Sequence, residues 1–389
     1  MDRSNTARAP FFLLWACGAC LRLTVLAIPP VISVIQKDLN LSGTEVGLLS
    51  GIPVVIFAMF AAPGSIVIAR MGVRGALVGG LLIAAAGGML RAGVSDVWQL
   101  YLATIFMSAG VAVMQPAMAA AVRDWIPDRS TFGTAVYTNG LIMGEIIPVA
   151  TMLSLVLPFF DGNWRLALGV WSLPLLVTAV AVGVLSRTKT PAKAAPVHSG
   201  GWLPKLDRKL NWRIGLTLAS TTSTYFCVNG FLPSFLNGSG RHDLIGAALT
   251  AANIGQLPAS FLLLLTADRL QGKRWPILTF AAISSACVIG IMFSASAWTV
   301  FWAGLAGFSL GAALVLSLAL PPLLCEPNEV AMTSAAAFAI GYGFAMLVSF
   351  LSGLAWDLAG HASAAFIPIL LGSLPIFVAV PAFARAKEV

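Results

Sequence analysis

A chain of 389 residues in which 58% are hydrophobic and only 10% charged is not built for water, because soluble chains carry about 25% charged residues. Its 23 Lys and Arg against 15 Asp and Glu give a formal charge of +8, yet a nucleic-acid binder would gather them on one face among exposed aromatics. Here they fall in short segments between apolar runs, so no nucleic-acid partner is expected.

Runs of about twenty apolar residues recur along the chain, each long enough to cross a hydrocarbon core of about 30 Å. They predict helix cores at 11–35, 46–69, 75–94, 98–122, 131–157, 164–186, 212–236, 244–267, 275–295, 298–324, 331–355 and 363–383, twelve spans in all. Barrel strands would alternate in polarity every second residue, which these do not. The first run is not read as a cleavable leader, because a charge interrupts it and eleven more spans follow.

That charge is Arg22 in "WACGACLRLTVLAIPP". Counted from Phe11 it lies roughly 16 Å along its helix, near the midplane, where snorkelling cannot bring a guanidinium to either surface. Gly18, Val25 and Pro29 share its face and leave space beside it. A guanidinium offers a planar fork of donors suited to a carboxylate, a nitro group or a small linear anion. An internal ion pair is the other reading, and the two are compatible. Cys17 and Cys20 have the spacing of a redox or metal motif, but no second ligand pair or histidine accompanies them, so they read as small packing residues and no metal is expected.

Span three carries Arg91 near its outer end, read as a snorkelling side chain, and span four has Gln115 before Pro116. Span five carries Glu145, about 5 Å from Arg22 in depth, on a face with Tyr137, Leu141 and Pro148. Burial favours a neutral carboxyl and a nearby guanidinium a charged one, so an arriving anion could displace or protonate Glu145. An inert brace is the alternative.

The stretch Arg187–Arg213 is basic and rich in Pro and Gly, and reads as a linker. The expected division is a first half over 1–186, a linker over 187–211 and a second half over 212–389. A shift of 199 residues lays Ala69-Arg70 on Asp268-Arg269, a trace of internal repetition. The second half holds no buried charge in its spans. Its polar candidates are Thr222, Tyr225 and Asn229 on span seven, Asn253 and Gln256 on span eight, and Tyr342 between two glycines on span eleven. Such residues also hydrogen-bond helices to one another.

Outside the spans the basic residues are strongly biased: only Lys37, Arg165 and Arg241 fall in the outer loops when the N-terminus is placed inside. Both termini are therefore expected on the cytoplasmic side. An intramembrane enzyme would need a catalytic constellation at depth, but His198, His242 and His361 lie in loops or at ends. No phosphate-binding lysine motif is present, so no ATP drive and no cofactor are expected.

Twelve spans, a long basic central loop and basic turns after spans two and eight resemble the major facilitator superfamily. Its usual turn, Gly-x-x-x-Asp-Arg-x-Gly-Arg-Arg, lines up with Ser65, Ala69, Arg70, Gly72 and Arg74, lacking the Gly and Asp, whereas Asp268-Arg269 keeps the acidic-basic pair. Within the superfamily, "CLRLTVLAIPPVISVIQKDLNLSGTEVGLLS", "NWRLALGVWSLP" and "GYGFAMLVSFLSGLAWDLAG" are similar to the cyanate and 2-nitroimidazole porter family, with Leu23 in place of that family's proline and Asn229 where an aromatic is commoner.

The resemblance implies an all-α membrane fold of two pseudo-symmetric six-helix halves, adjoining spans one and five, and a conformational role for Arg70, Arg74, Asp268 and Arg269. It implies a monomeric transporter of the inner membrane for a small anionic or dipolar solute, working by alternating access. Solute contacts are expected from Arg22, Gln115, Tyr137, Tyr225, Asn229, Tyr342, Asn253 and Gln256, with Glu145 coupling transport to protons. A proton-driven exporter of drugs or metabolites is the alternative.

Overall fold

A computed structural model of the chain describes residues 3–186, 208–270, 273–294, 296–326 and 329–381. Among the described residues all regular structure is helical, which is what backbone groups deprived of water require. Ten helices among the described residues are long and apolar enough to cross a membrane: Ala9–Leu39, Gly43–Phe60, Arg70–Gly93, Val97–Trp125, Phe132–Phe159, Trp164–Leu185, Arg274–Phe293, Trp298–Leu318, Met332–Ala359 and Ala362–Ala379. The two other expected spans are helical as well. Span seven is a single helix, Lys209–Gly238, diluted by the hydroxyl run Ser220 to Thr224. These hydroxyls turn back on the helix itself, as where Thr222 and Thr224 donate to the carbonyls of Leu218 and Ser220 at 2.8 Å, so the segment stays polar in composition yet satisfied. Span eight is split at Gly255 into Ile245–Ile254 and Gln256–Leu270.

The chain divides into two compact units, one made of Met1–Val31 and Met59–Trp202, the other of Ile32–Ala58 and Leu203–Val389. Residues 187–207 of the expected linker lie outside the described residues. The helices of spans two and three run on from Gly43 to Leu90 and are separated only at Gly72, whose φ of 72° and ψ of 171° no L side chain adopts readily.

In the first unit, span one departs from the continuous helix that its hydropathy suggests. It is three pieces, Arg3–Cys20, Leu23–Leu26 and Ile28–Leu39. Pro29 and Pro30 lack N–H groups, so the carbonyls of Val25 and Leu26 lose their partners and the helix breaks at Ala27. A second break falls at Arg22, whose N–H reaches back only three residues, to Ala19, at 3.0 Å.

Span one lies against span five at backbone distance. A Cβ on Gly18 would meet the carbonyl oxygen of Tyr137 at 2.2 Å, and one on Gly140 or Gly144 would meet that of Trp15 or Ala19 at 2.1 Å. The spacing Gly140-x-x-x-Gly144 puts both glycines on one helix face, where small residues let membrane helices approach closely. Trp15 Nε1 donates to Asn139 Oδ1 at 3.0 Å along the same seam.

The second unit uses the same device. Gly43, Gly47 and Gly51 lie four residues apart on span two and face Gly353, Ser349 and Met346 of span eleven, with Ser349 Oγ donating to the Gly47 carbonyl at 2.8 Å. Asp357 closes this seam by accepting from the backbone N–H of Gly43 and of Thr44, the latter at 2.8 Å, so it caps the start of span two. Spans eight and ten meet through Gly255, Gly304 and Gly307.

Candidate functional site

The seam between spans one and five sets the geometry of the first unit's polar centre. Glu145 follows Gly144 directly, so the contact that brings Gly144 against Ala19 presents its carboxylate to Arg22. Arg22 Nε donates to Glu145 Oε1 at 3.1 Å, with side-chain exposures of 11% and 4%. This pair is largely withdrawn from water, where its geometry matters far more than that of a surface pair. Because Arg22 sits at a helix break, its direction is not that of a regular helical residue, and the face expected from helical spacing holds only on its N-terminal side.

The other candidates of this unit are less tightly engaged. Gln115 is half-buried in the continuous helix Val97–Trp125, and its Nε2 is buried with no hydrogen-bond partner. Tyr137 is half-buried and gives its backbone carbonyl to the contact with Gly18. Arg70 is exposed, whereas Arg74 donates through Nη2 to the Gly183 carbonyl.

Arg91 corrects the snorkelling expectation. It is 1% exposed, the largest fully buried side chain among the described residues, and its Nη1 donates to the backbone carbonyl of Thr24 at 2.8 Å. The carbonyls vacated by the break in span one draw it inward. Cys17 and Cys20 are buried free thiols, and Cys20 Sγ donates to Thr178 Oγ1 at 3.4 Å.

In the second unit three candidates are linked. Tyr225 donates its hydroxyl to Asn253 Oδ1 at 2.8 Å, and Asn253 Nδ2 donates both to Asn229 Oδ1 and to the Leu249 carbonyl at 2.9 Å. Asn229 Nδ2 donates to the Tyr225 carbonyl at 3.0 Å. Asn253 thereby spends both amide hydrogens on protein and reads as the brace of this triad, while Asn229 keeps one hydrogen uncommitted. Gln256 is buried beside Gly311. Tyr342 stacks on Phe338 at 5.6 Å and meets Phe57 edge-on at 6.3 Å. Asp268 and Arg269 close the helix Gln256–Leu270, with side chains outside the described residues.

The hydropathy pattern missed both breaks of span one, the glycine seam and the inward Arg91. Two signals could have found them: the adjacent prolines Pro29 and Pro30, and the small-residue spacing that immediately precedes Glu145.

The model of the Major Facilitator Superfamily matches residues 14–242. This chain belongs to that superfamily. The cyanate transport protein CynX of Escherichia coli is 23% identical over 88% of this major facilitator protein and 89% of its own length. The 2-nitroimidazole transporter of the same organism is also 23% identical, over 95% and 93%. Among solved structures, the inward open conformation of the xylose transporter XylE from E. coli overlays with a TM-score of 0.75 over 94% of each chain at 13% identity, a likeness of fold alone. The protein is thus a multi-pass membrane protein of the major facilitator fold, a secondary transporter of a small-molecule solute and not an enzyme.

Proposed function

We propose that this transporter moves a small anionic or strongly dipolar solute, a cyanate-like ion, a nitro-aromatic or a small carboxylate, by alternating access. Arg22 anchors the solute and Glu145 is the counter-ion that the solute displaces. The observation that carries this reading is the Arg22 Nε to Glu145 Oε1 contact of 3.1 Å at a break in a membrane helix. An arginine at this depth is costly unless it has a task, and its carboxylate partner is a group that a competing anion can replace. Glu145, once released, takes up a proton, which couples solute to proton.

The printed activities of two relatives, cyanate and 2-nitroimidazole transport, support this class of cargo, since both molecules present the kind of acceptor a guanidinium fork binds. Gln115 and Tyr137 in the first unit, and Tyr225, Asn229, Asn253, Gln256 and Tyr342 in the second, are assigned as polar solute contacts. Arg70, Arg74, Asp268 and Arg269 are assigned to the conformational turns, and both termini to the cytoplasmic side of an inner membrane.

A thermal-shift screen of the detergent-purified protein against cyanate, nitrate, 2-nitroimidazole, small carboxylates and lipophilic cations tests the reading, because a ligand selective for the folded state must raise its stability. Stabilisation by an anion or nitro compound that vanishes in Arg22→Gln supports it. Stabilisation by cations alone, undiminished in that variant, overturns it in favour of an exporter.

A further inference from the structure

We infer that Arg91 is a positioning residue for Arg22: from span three it caps the single helical turn Leu23–Leu26 and so fixes the break in which Arg22 sits. The inference rests on the reading of Arg22 as the solute's anchor.

The turn Leu23–Leu26 is one turn long, so none of its last carbonyls has a partner within it. Pro29 and Pro30 withhold the N–H groups that would have met the Val25 and Leu26 carbonyls, and the break at Ala27 that follows parts the Thr24 carbonyl from Ile28, its partner in a continuing helix. Arg91 Nη1 supplies a donor to one of these carbonyls, that of Thr24, at 2.8 Å. A cation at the carboxyl end of a helix also meets the negative end of its dipole, so charge and hydrogen bond act together.

Three further observations show the approach to be built in. Gly88, one turn before Arg91, lets its helix come close to Ser172 and Thr24: a Cβ there would displace the Ser172 hydroxyl and touch Thr24 Cγ2 at 3.6 Å. The Thr24 hydroxyl is held in turn by Met107 Sδ at 3.1 Å, so Thr24 is fastened through backbone and side chain alike. Among the described residues Arg91 has no carboxylate partner, and its Nε and Nη2 are buried without hydrogen-bond partners. A guanidinium near the end of a span could reach the headgroups and hydrate all its donors. Its retention in the interior for one backbone carbonyl is accounted for by the capping of the broken turn, whereas an ordinary ion pair accounts for nothing here.

The test uses the full chain in detergent. Hydrogen–deuterium exchange across Leu21–Ile28 should be at least tenfold faster in Arg91→Gln than in the wild type, with peptides of the second unit unchanged. Arg91→Lys, which keeps a charged donor of similar reach, should stay within about threefold of wild type. Cyanate affinity, from thermal-shift titration, should weaken at least tenfold in Arg91→Gln and recover in Arg91→Lys, a pattern that mere loss of packing would not give. If Arg91→Gln alone does not fold, adding Pro29→Ala and Pro30→Ala, which lets the helix run on through Ala27 so that the Ile28 N–H can meet the Thr24 carbonyl, should rescue expression. Unchanged exchange in Arg91→Gln, no recovery by lysine, or no rescue by the alanine pair overturns the inference. Arg22→Gln, run in parallel, separates the two ideas. If it leaves every probe's binding intact, the solute reading falls. If it abolishes binding while Arg91→Gln leaves exchange and affinity unchanged, only the positioning role falls.

Discussion

The separate removals of Arg22 and Glu145 each cost more than the pair itself is worth, because each is the other's compensation in a region without water. Glu145→Gln leaves a guanidinium poorly compensated and should cost about 3–5 kcal/mol of stability, while Arg22→Gln combined with Glu145→Gln should recover most of that loss. Melting temperatures of the single and double variants measure this directly, and a double loss equal to the sum of the two single losses would mean that the pair is not coupled. Asn253 provides a neutral counterpart. Both its amide hydrogens and its carbonyl are engaged by Asn229, Leu249 and Tyr225, so Asn253→Leu should destabilise by about 1–3 kcal/mol through the partners it strands, whereas Asn229→Ala should cost less.

Helices in this protein meet through glycines, and the cost of filling such a contact is steric. Gly144→Val must place atoms about where the Ala19 carbonyl now stands, 2.1 Å from the first added carbon. Overpacking of this kind costs about 1–3 kcal/mol, and here it also swings Glu145 away from Arg22, so solute binding should fall with stability. Solute-induced thermal shifts of Gly144→Val against Gly183→Val, a position with nothing within 4 Å of an added Cβ, separate the seam from a general intolerance of valine. At the start of span two, Asp357→Ala removes a cap and should cost about 1 kcal/mol in thermal unfolding, while Asp357→Asn, which keeps acceptor capacity, should cost less.

The hydropathy pattern made the helices legible, because a segment that must satisfy its own backbone in lipid has one solution. The polar span seven was legible by the same means, through its apolar residues on either side of the hydroxyl run. The depth match of Arg22 and Glu145 followed from counting residues along two helices. What helical counting could not reach was where a helix stops being one. Arg91 looked like an end-of-span cation because its own sequence neighbourhood says so, and its inward turn is met by the Thr24 carbonyl beside the break in another helix. Likewise nothing in the sequence around Asp357 points to the backbone N–H groups of Gly43 and Thr44 that it caps.

For the molecule as a whole, the proposed cytoplasmic placement of both termini can be tested by labelling. A cysteine introduced at Lys193 should react with a membrane-impermeant maleimide only when the cytoplasmic face is opened. One introduced at Asn237 should react in intact cells. Reversal of that pattern would invert the topology and with it the direction in which any solute gradient is read. The Arg22 to Glu145 pair has a further consequence for how such a chain is made. Its partners stand 123 residues apart, so the first span must enter the bilayer, already interrupted by two prolines, long before its counter-ion has been synthesised. During that interval the cation is without the carboxylate that compensates it in the finished fold. Nascent chains truncated before span five should therefore hold their first helix insecurely, and assembly of the first unit becomes committed only when Glu145 arrives.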